Sequence, residues 1–338
     1  MADRSKIEWT DATWNVITGC DVVSPGCTNC YAMRLAGTRL RRHPSRQGLT
    51  VDTKAGPVWN GQVRFNEQWL DQPLRWTRPR MIFVCAHGDL FHESVPDEWI
   101  DKVFAIMAMA PQHVFQVLTK RTDRMAAYIE QLSKEPADRL HFATTESGYS
   151  DEAGCAVANW INGFSRWWTA PNDGNPLDGS KPRWPLPNVW LGFSAEDQER
   201  FDERWRFVED LAHASWLTWL SAEPLLGPLD AREGLGQGLA WVVAGGESGP
   251  GARPAHPDWF RQLRDDCRPS DAGFHFKQWG DWLPVDSGHP GLEGPGFGIF
   301  DHCPVNEKFS PTHVRVGKKA AGRLLDGRTW DEMPEPRT

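Results

Sequence analysis

Short apolar runs alternate along the chain with polar segments of helical character. Runs rich in β-branched and aromatic residues predict strands at Thr13–Thr18, Met81–Ala86, His113–Leu118, Asn188–Phe193, Trp216–Leu220, Leu239–Ala244 and Gly273–Lys277. Several of them, notably MIFVCA, VWLGF and AWVVAG, are apolar on successive residues. That pattern suits strands buried on both faces, as in a parallel sheet covered by helices. Between the runs, SVPDEWIDKVFAIMAMA predicts a helix with Ser94 as N-cap, a proline in the first turn and early acids. DRMAAYIEQLSK, EDQERFDERWRFVEDLA and HPDWFRQLRDDC read the same way, the last just after the glycine-rich AGGESGPGARP. Strand, polar loop and helix in repetition predict an α/β fold. The expected form is a partial or full (β/α) TIM-type barrel of mainly parallel strands, or an open doubly wound sheet.

Two regions break the alternation. Thr145 to Pro187 has few periodic stretches and is expected to be an insertion of loops and short helices between the third and fourth strands. The tail from about Trp282 is rich in glycine and proline and closes with HVRVGKKAAGRLLDGRTWDEMP, a candidate docked helix and turn. The expected organisation is a barrel over residues 1–282, interrupted at about 145–187, with an extension over 283–338 packed on it.

At 338 residues the chain can bury a substantial core. The formal net charge of −8 argues against non-specific coating of nucleic acid, which needs a dominant positive field. Local basic stretches at Arg39, Arg41, Arg42, His43 and Arg46 and at Arg315, Lys318, Lys319 and Arg323 leave room for a local patch, and equally for solvated surface. The 19 tryptophans, many at the ends of apolar runs, are expected mainly in the core, and Arg166-Trp167-Trp168 either stacks on bases or packs the insertion. No apolar run has membrane-spanning length and MADRSKIEWTDATWN lacks a secretory apolar segment, so a reducing cytoplasm and no membrane partner are expected.

In such a compartment clustered cysteines hold metal or do redox chemistry more often than they form disulfides. The stretch TGCDVVSPGCTNCYA sets Cys20, Cys27 and Cys30 in one loop, while Cys85, Cys155, Cys267 and Cys303 are scattered. Three soft ligands suit zinc or an iron–sulfur cluster. Zinc needs a further ligand, for which His43 is a candidate; a four-iron cluster would keep one iron free of protein ligands. A redox dithiol at Cys27 and Cys30 is the third reading, although TNCY lacks a thioredoxin-like context.

The loop follows the first predicted strand, and so in a barrel lies on the carboxyl-terminal face where active sites assemble. Later strand ends point to the same mouth: Cys85, His87 and Asp89, Lys120 and Arg121, Ser194 and Glu196, Glu223, Gly245 to Glu247, and Lys277 with Gln278. Lys120, Glu223, Lys277 and Gln278 are candidate substrate-binding residues. Caps and solvated turns are the duller account of each. His87, Asp89 and His92 form a candidate second metal site.

The blocks IEWTDATWN, TGCDVVSPGCTNCYA, DLFHESVP, QVLTKRTDRM, NVWLGFSAEDQ, LSAEPLLGPLD, VVAGGESGPGARPAHPDWFRQLRDDC, FHFKQWGDW and RVGKKAAGRLLDGRTWDEMP carry a resemblance to the phage Gp37/Gp68 family (DUF5131). That family resembles radical S-adenosylmethionine (SAM) proteins. The resemblance implies that Cys20, Cys27 and Cys30 bind three irons of a [4Fe–4S] cluster and SAM binds the fourth. Reductive cleavage of SAM then yields a 5′-deoxyadenosyl radical that abstracts hydrogen from substrate. By the same analogy His87 and Asp89 hold the SAM amino group, Ser194 and Glu196 the ribose, and Gly245, Gly246 and Glu247 the adenine. A nucleic acid or nucleotide-derived substrate and an electron donor such as flavodoxin or ferredoxin are implied. The chain departs from the usual C-x3-C-x2-C, with six residues between Cys20 and Cys27 and Asn29 where an aromatic residue commonly stands. Two other readings stay open: a zinc-stabilised, non-enzymatic nucleic-acid-binding phage accessory protein, and a metal-dependent hydrolase using His87, Asp89 and Glu223.

Overall fold

The computed structural model describes residues 5–162, 184–284 and 313–334, so Arg166, Trp167, Trp168 and Cys303 lie outside the described residues. Seven strands form one parallel sheet in chain order: β1 (Ala12–Trp14), β2 (Met81–Val84), β3 (Val114–Thr119), β4 (Val189–Ser194), β5 (Leu217–Ala222), β6 (Leu239–Gly245) and β7 (Gly273–Gln278). Each strand runs parallel to the next, with β1 and β7 as the two edges, giving an open half-barrel. The helices are α1 (Tyr31–Gly37), α2 (Asp97–Met109), α3 (Thr122–Leu132), α4 (Pro136–Glu146), α5 (Asp151–Ile161), α6 (Gln198–His213), α7 (Arg232–Gly236), α8 (Pro257–Cys267) and α9 (Lys318–Ala321).

The unbroken apolar runs resolve into two interleaved sets of period two, because alternate side chains leave opposite faces of a strand. Outward residues such as Val117, Phe193, Leu220, Val242 and Phe276 pack under Phe104, Ile129, Trp205 and Phe260 of the helices. Inward residues Phe83, Trp190, Trp219, Trp241 and Val243 close around Trp9 in a separate cluster. Ring centroids of Trp9 lie 5.3 Å from Trp219 and 6.0 Å from Trp241, both edge-on. Part of the tryptophan excess is thus the filling of the half-barrel interior. Gly192 makes the space: a Cβ there would sit 2.2 Å from the Trp219 ring.

Two expectations are corrected. The first predicted strand is two: the sheet takes Ala12–Trp14, and Ile17–Thr18 pairs antiparallel with Arg64–Phe65. Asn66 holds the break, its side-chain amide donating to the carbonyls of Asn15 and Val16 at 3.2 Å each. Helix α2 starts at Asp97 with Pro96 at the N-cap position, not Ser94, because the residue before a proline is pushed out of helical conformation. The region expected as loops and short helices holds α5, whose burial at Val157 rests among Ala153, Gly154 and Ala158, residues too small to print a helical period. A hairpin, Thr50–Thr53 with Gly56–Trp59, follows α1 without a sequence expectation.

The end of the chain returns to the sheet. His313–Arg315 pairs with Trp282–Pro284, and beyond α9 the chain runs along β7, where the Phe276 amide donates to Trp330 O at 2.9 Å and the Glu332 amide to Phe274 O at 3.3 Å. Trp241 Nε1 donates to Glu332 O at 2.8 Å, and Met333 packs on the interior cluster. Among the described residues no helix is long and apolar enough to cross a membrane.

Candidate functional site

All strands of a parallel sheet end on one side, so the polar residues that follow them converge there. At that edge a cavity of about 480 Å³ opens, a size suited to a small molecule or cofactor. Cys20, Cys27 and Cys30 all line it, as do Asp89, Lys120, Ser194, Glu223, Gly246, Glu247, Lys277 and Gln278, with Trp9, Phe83, Leu118 and Trp59 as apolar walls.

Local backbone chemistry delivers the cysteines. Gly19 has φ of +98°, and a Cβ there would meet Gln62 O at 2.1 Å, so only glycine fits. Its amide donates to His87 O at 3.2 Å, which brings Cys20 to the end of β2. Pro25–Cys27 forms one 3-10 turn, and Cys30 stands at the N-cap of α1. Neighbouring strand ends then pin the loop. The Gly26 amide donates to Glu196 Oε1 at 2.9 Å, Arg253 Nη2 to Pro25 O at 3.0 Å and Asn29 Nδ2 to Gly251 O at 2.9 Å. Arg253 is itself held by Glu247 at 2.6 Å.

Glu196 is fully buried. Burial alone would raise its pKa, but Lys120 at 3.6 Å, Ser24, the Gly26 amide and Arg204 at 3.1 Å hold the carboxyl down at about 2. On the other side of Cys20, buried Arg121 reaches Asp89 at 2.9 Å, Glu93 at 2.7 Å, Asp21, and Cys20 Sγ at 3.7 Å. Thr119 Oγ1 donates to Asp89 Oδ1 at 2.8 Å. Lys277 Nζ pairs with Glu223 Oε1 at 2.8 Å across β7 and β5.

Cys20, Cys27 and Cys30 are free thiols. Burial raises the pKa of Cys20, helped by Asp89, and burial likewise raises that of Cys30. Deprotonating such thiols calls for a compensating cation, which a metal supplies. Three thiolates on one cavity form a donor set that fits an iron–sulfur group and equally a zinc ion.

Five sequence-derived candidates, His43, His87, His92, Glu196 and Gly245, do not line the cavity. His87 turns to Arg46, whose Nη2 is 3.1 Å from its Nδ1; burial and that guanidinium lower its pKa to about 4 and keep it neutral. It is therefore not beside Asp89 in a metal set, nor with Asp89 and Glu223 as a hydrolase would need. Glu196 spends its carboxylate on the cysteine loop, and Gly245 lies behind Glu223, whose Oε1 would be 2.7 Å from a Cβ there. His43 bonds Ser45 Oγ at 2.7 Å and stays away from the cysteines' cavity. The first basic stretch is dispersed, with Arg41 paired to Asp52 and Arg46 buried, whereas Lys318 of the second stands at the cavity rim.

Cys85, which the sequence placed at a strand end facing the mouth, lines the cavity at φ of +56°, its thiol pushed up to about 12 by burial. Sequence reasoning missed other members. Tyr31 also lines the cavity, half-exposed, its hydroxyl donating to Ala86 O at 2.7 Å. No sequence signal marked Arg253 or Asn29, which act through loop contacts between segments more than 200 residues apart.

The family profile described as "Protein of unknown function (DUF5131)" matches residues 4–334. No curated protein and no solved structure matches the chain.

Proposed function

From the premise that the chain belongs to the DUF5131 family, whose description assigns no activity, we propose that it is a radical SAM-type iron–sulfur enzyme acting on nucleic acid or a nucleotide-derived substrate. The observation that carries this reading is the meeting of Cys20, Cys27 and Cys30 on one cavity at the carboxyl-terminal edge of a parallel half-barrel. When bound, a [4Fe–4S] cluster and SAM supply one-electron cleavage of the sulfonium and hydrogen abstraction from substrate.

The protein's own residues bind, orient and shield. Glu196, Arg253 and the Asn29–Gly251 bond fix the cysteine loop against two other segments, the end of β4 and the loop after β6. Arg121 donates toward Cys20 Sγ, a contact that favours the thiolate. Trp9, Phe83 and Leu118 exclude water from the inner wall, while Lys120, Lys277 and Lys318 offer ammonium groups to an anionic substrate. Asp89, Ser194, Gly246 and Glu247 remain in reach of a bound cofactor, and a flavodoxin- or ferredoxin-type protein would supply the electron.

Anaerobic reconstitution with iron and sulfide, then SAM and dithionite, tests the reading. Expected are about four irons with acid-labile sulfide per chain and release of 5′-deoxyadenosine. Cys27→Ala should lose the iron and keep its circular dichroism; Cys155→Ala should keep both. Tightly bound zinc at these thiols with no sulfide, or no 5′-deoxyadenosine from an iron-loaded sample, overturns it.

A further inference from the structure

Away from the cavity, α4 and α5 pack against each other outside the sheet, between β3 and β4. Their shared face carries an imidazole, a carboxylate and a thiol. We infer that His141, Asp151 and Cys155 form a second metal site, for a borderline-soft divalent ion of the zinc class, which clips α4 to α5.

The geometry supports this in three ways. First, the ligand atoms of His141, Asp151 and Cys155 all lie within 4.8 Å of one another. His141 Nε2 is 3.2 Å from Asp151 Oδ1, and Cys155 Sγ is 3.8 Å from Asp151 Oδ2. Ligands on a tetrahedral zinc, with bonds of about 2.0–2.3 Å, stand about 3.3–3.8 Å apart, so little movement is needed. Second, Asp151 and Cys155 are four residues apart in α5 and share one face of it. Third, Gly154 lets α5 approach the imidazole: a Cβ there would lie 3.0 Å from His141 O and 3.2 Å from Nδ1. A larger residue at 154 would push His141 off the other two ligands.

Nitrogen, oxygen and sulfur donors together select zinc-class ions over calcium or magnesium, which take oxygen alone. Binding converts the Cys155 thiol to a metal thiolate and releases one proton, with no change of oxidation state, so affinity should rise with pH. Asp151 and Cys155 are exposed and His141 is partly so, which leaves a fourth position for water and makes the ion exchangeable. The site is independent of the cysteine cavity and of any chemistry proposed there.

Cobalt(II) is the probe, titrated into the full chain and followed by absorbance, with zinc as competitor. The expected result is a sulfur-to-cobalt charge-transfer band with visible d–d bands, reversed by zinc. Cys155→Ala should abolish the share of that band contributed by this site, with one equivalent less cobalt bound. His141→Ala and Asp151→Asn should each weaken it at least about tenfold. All three positions are on the surface of the helix pair, and Cys155→Ser serves as a second removal of the thiol. Zinc should raise the melting temperature of the parent chain more than that of Cys155→Ala. Equal cobalt stoichiometry and equal spectra for the parent, Cys155→Ala and Cys155→Ser overturn the inference. Because Cys155→Ala retains the cavity thiols, its iron loading reports on the proposed function separately.

Discussion

Glu196 illustrates how one side chain ties distant segments together: its carboxylate receives the Gly26 amide, Arg204 and Lys120 in full burial. Glu196→Ala leaves Arg204 without its carboxylate and the cysteine loop without an anchor. Breaking such a buried pair costs about 3–5 kcal/mol, measurable by urea unfolding, and reconstituted iron per chain should fall with it. His275 makes a different residue-scale prediction. It is buried in the half-barrel with neither ring nitrogen hydrogen-bonded among the described residues. Burial, then Arg323, lowers its pKa from 6.5 to about 4. The unfolded chain therefore takes up a proton below pH 6.5 that the folded chain refuses until about pH 4. The stability this histidine contributes is present above pH 6.5 and is lost as pH falls through that window. Between pH 7 and pH 5 the loss is roughly 2 kcal/mol. His275→Gln, which cannot take the proton, should flatten unfolding free energy against pH by that amount; an unchanged slope would refute it.

Among the elements, β4 and β5 meet through a missing side chain. Gly192→Ala drives a methyl group into Trp219, which is already enclosed by Trp9 and Trp241. Overpacking of this kind costs about 1–3 kcal/mol, read as a lowered urea midpoint at unchanged slope. Helix α6 is the element the sequence marked best: Asp197 caps it by accepting the Arg200 amide at 2.9 Å. The cysteine loop was the hardest to read. Its three sulfurs stood out in sequence, but Arg253, Glu196 and the Gly251 carbonyl that receives Asn29, which hold it, come from strand ends far along the chain, and no local pattern predicts which loops will touch.

On the scale of the molecule, the sheet stays open at β7 and the carboxyl-terminal segment covers that edge. An uncovered strand edge and an exposed interior tryptophan both favour association between chains. Removal of residues 328–338 should therefore uncover Trp241 and Phe276, lower the melting temperature and produce concentration-dependent oligomers in light scattering. A monomeric truncation with the parent's melting temperature would mean the segment is dispensable.

The seven strands, their parallel arrangement and most helices were legible in the chain, because strand and helix periods and proline or glycine breaks are local properties of neighbouring residues. The clustered thiols were legible for the same reason. Only the tertiary structure decided that the first strand breaks at Asn15, that His87 faces Arg46, that Glu196 serves the loop and that Tyr31 joins the cavity. It also brought His141 to Asp151 and Cys155. These outcomes depend on which way a side chain turns at a strand end and which loop it meets there, and both follow from close packing across long sequence distances.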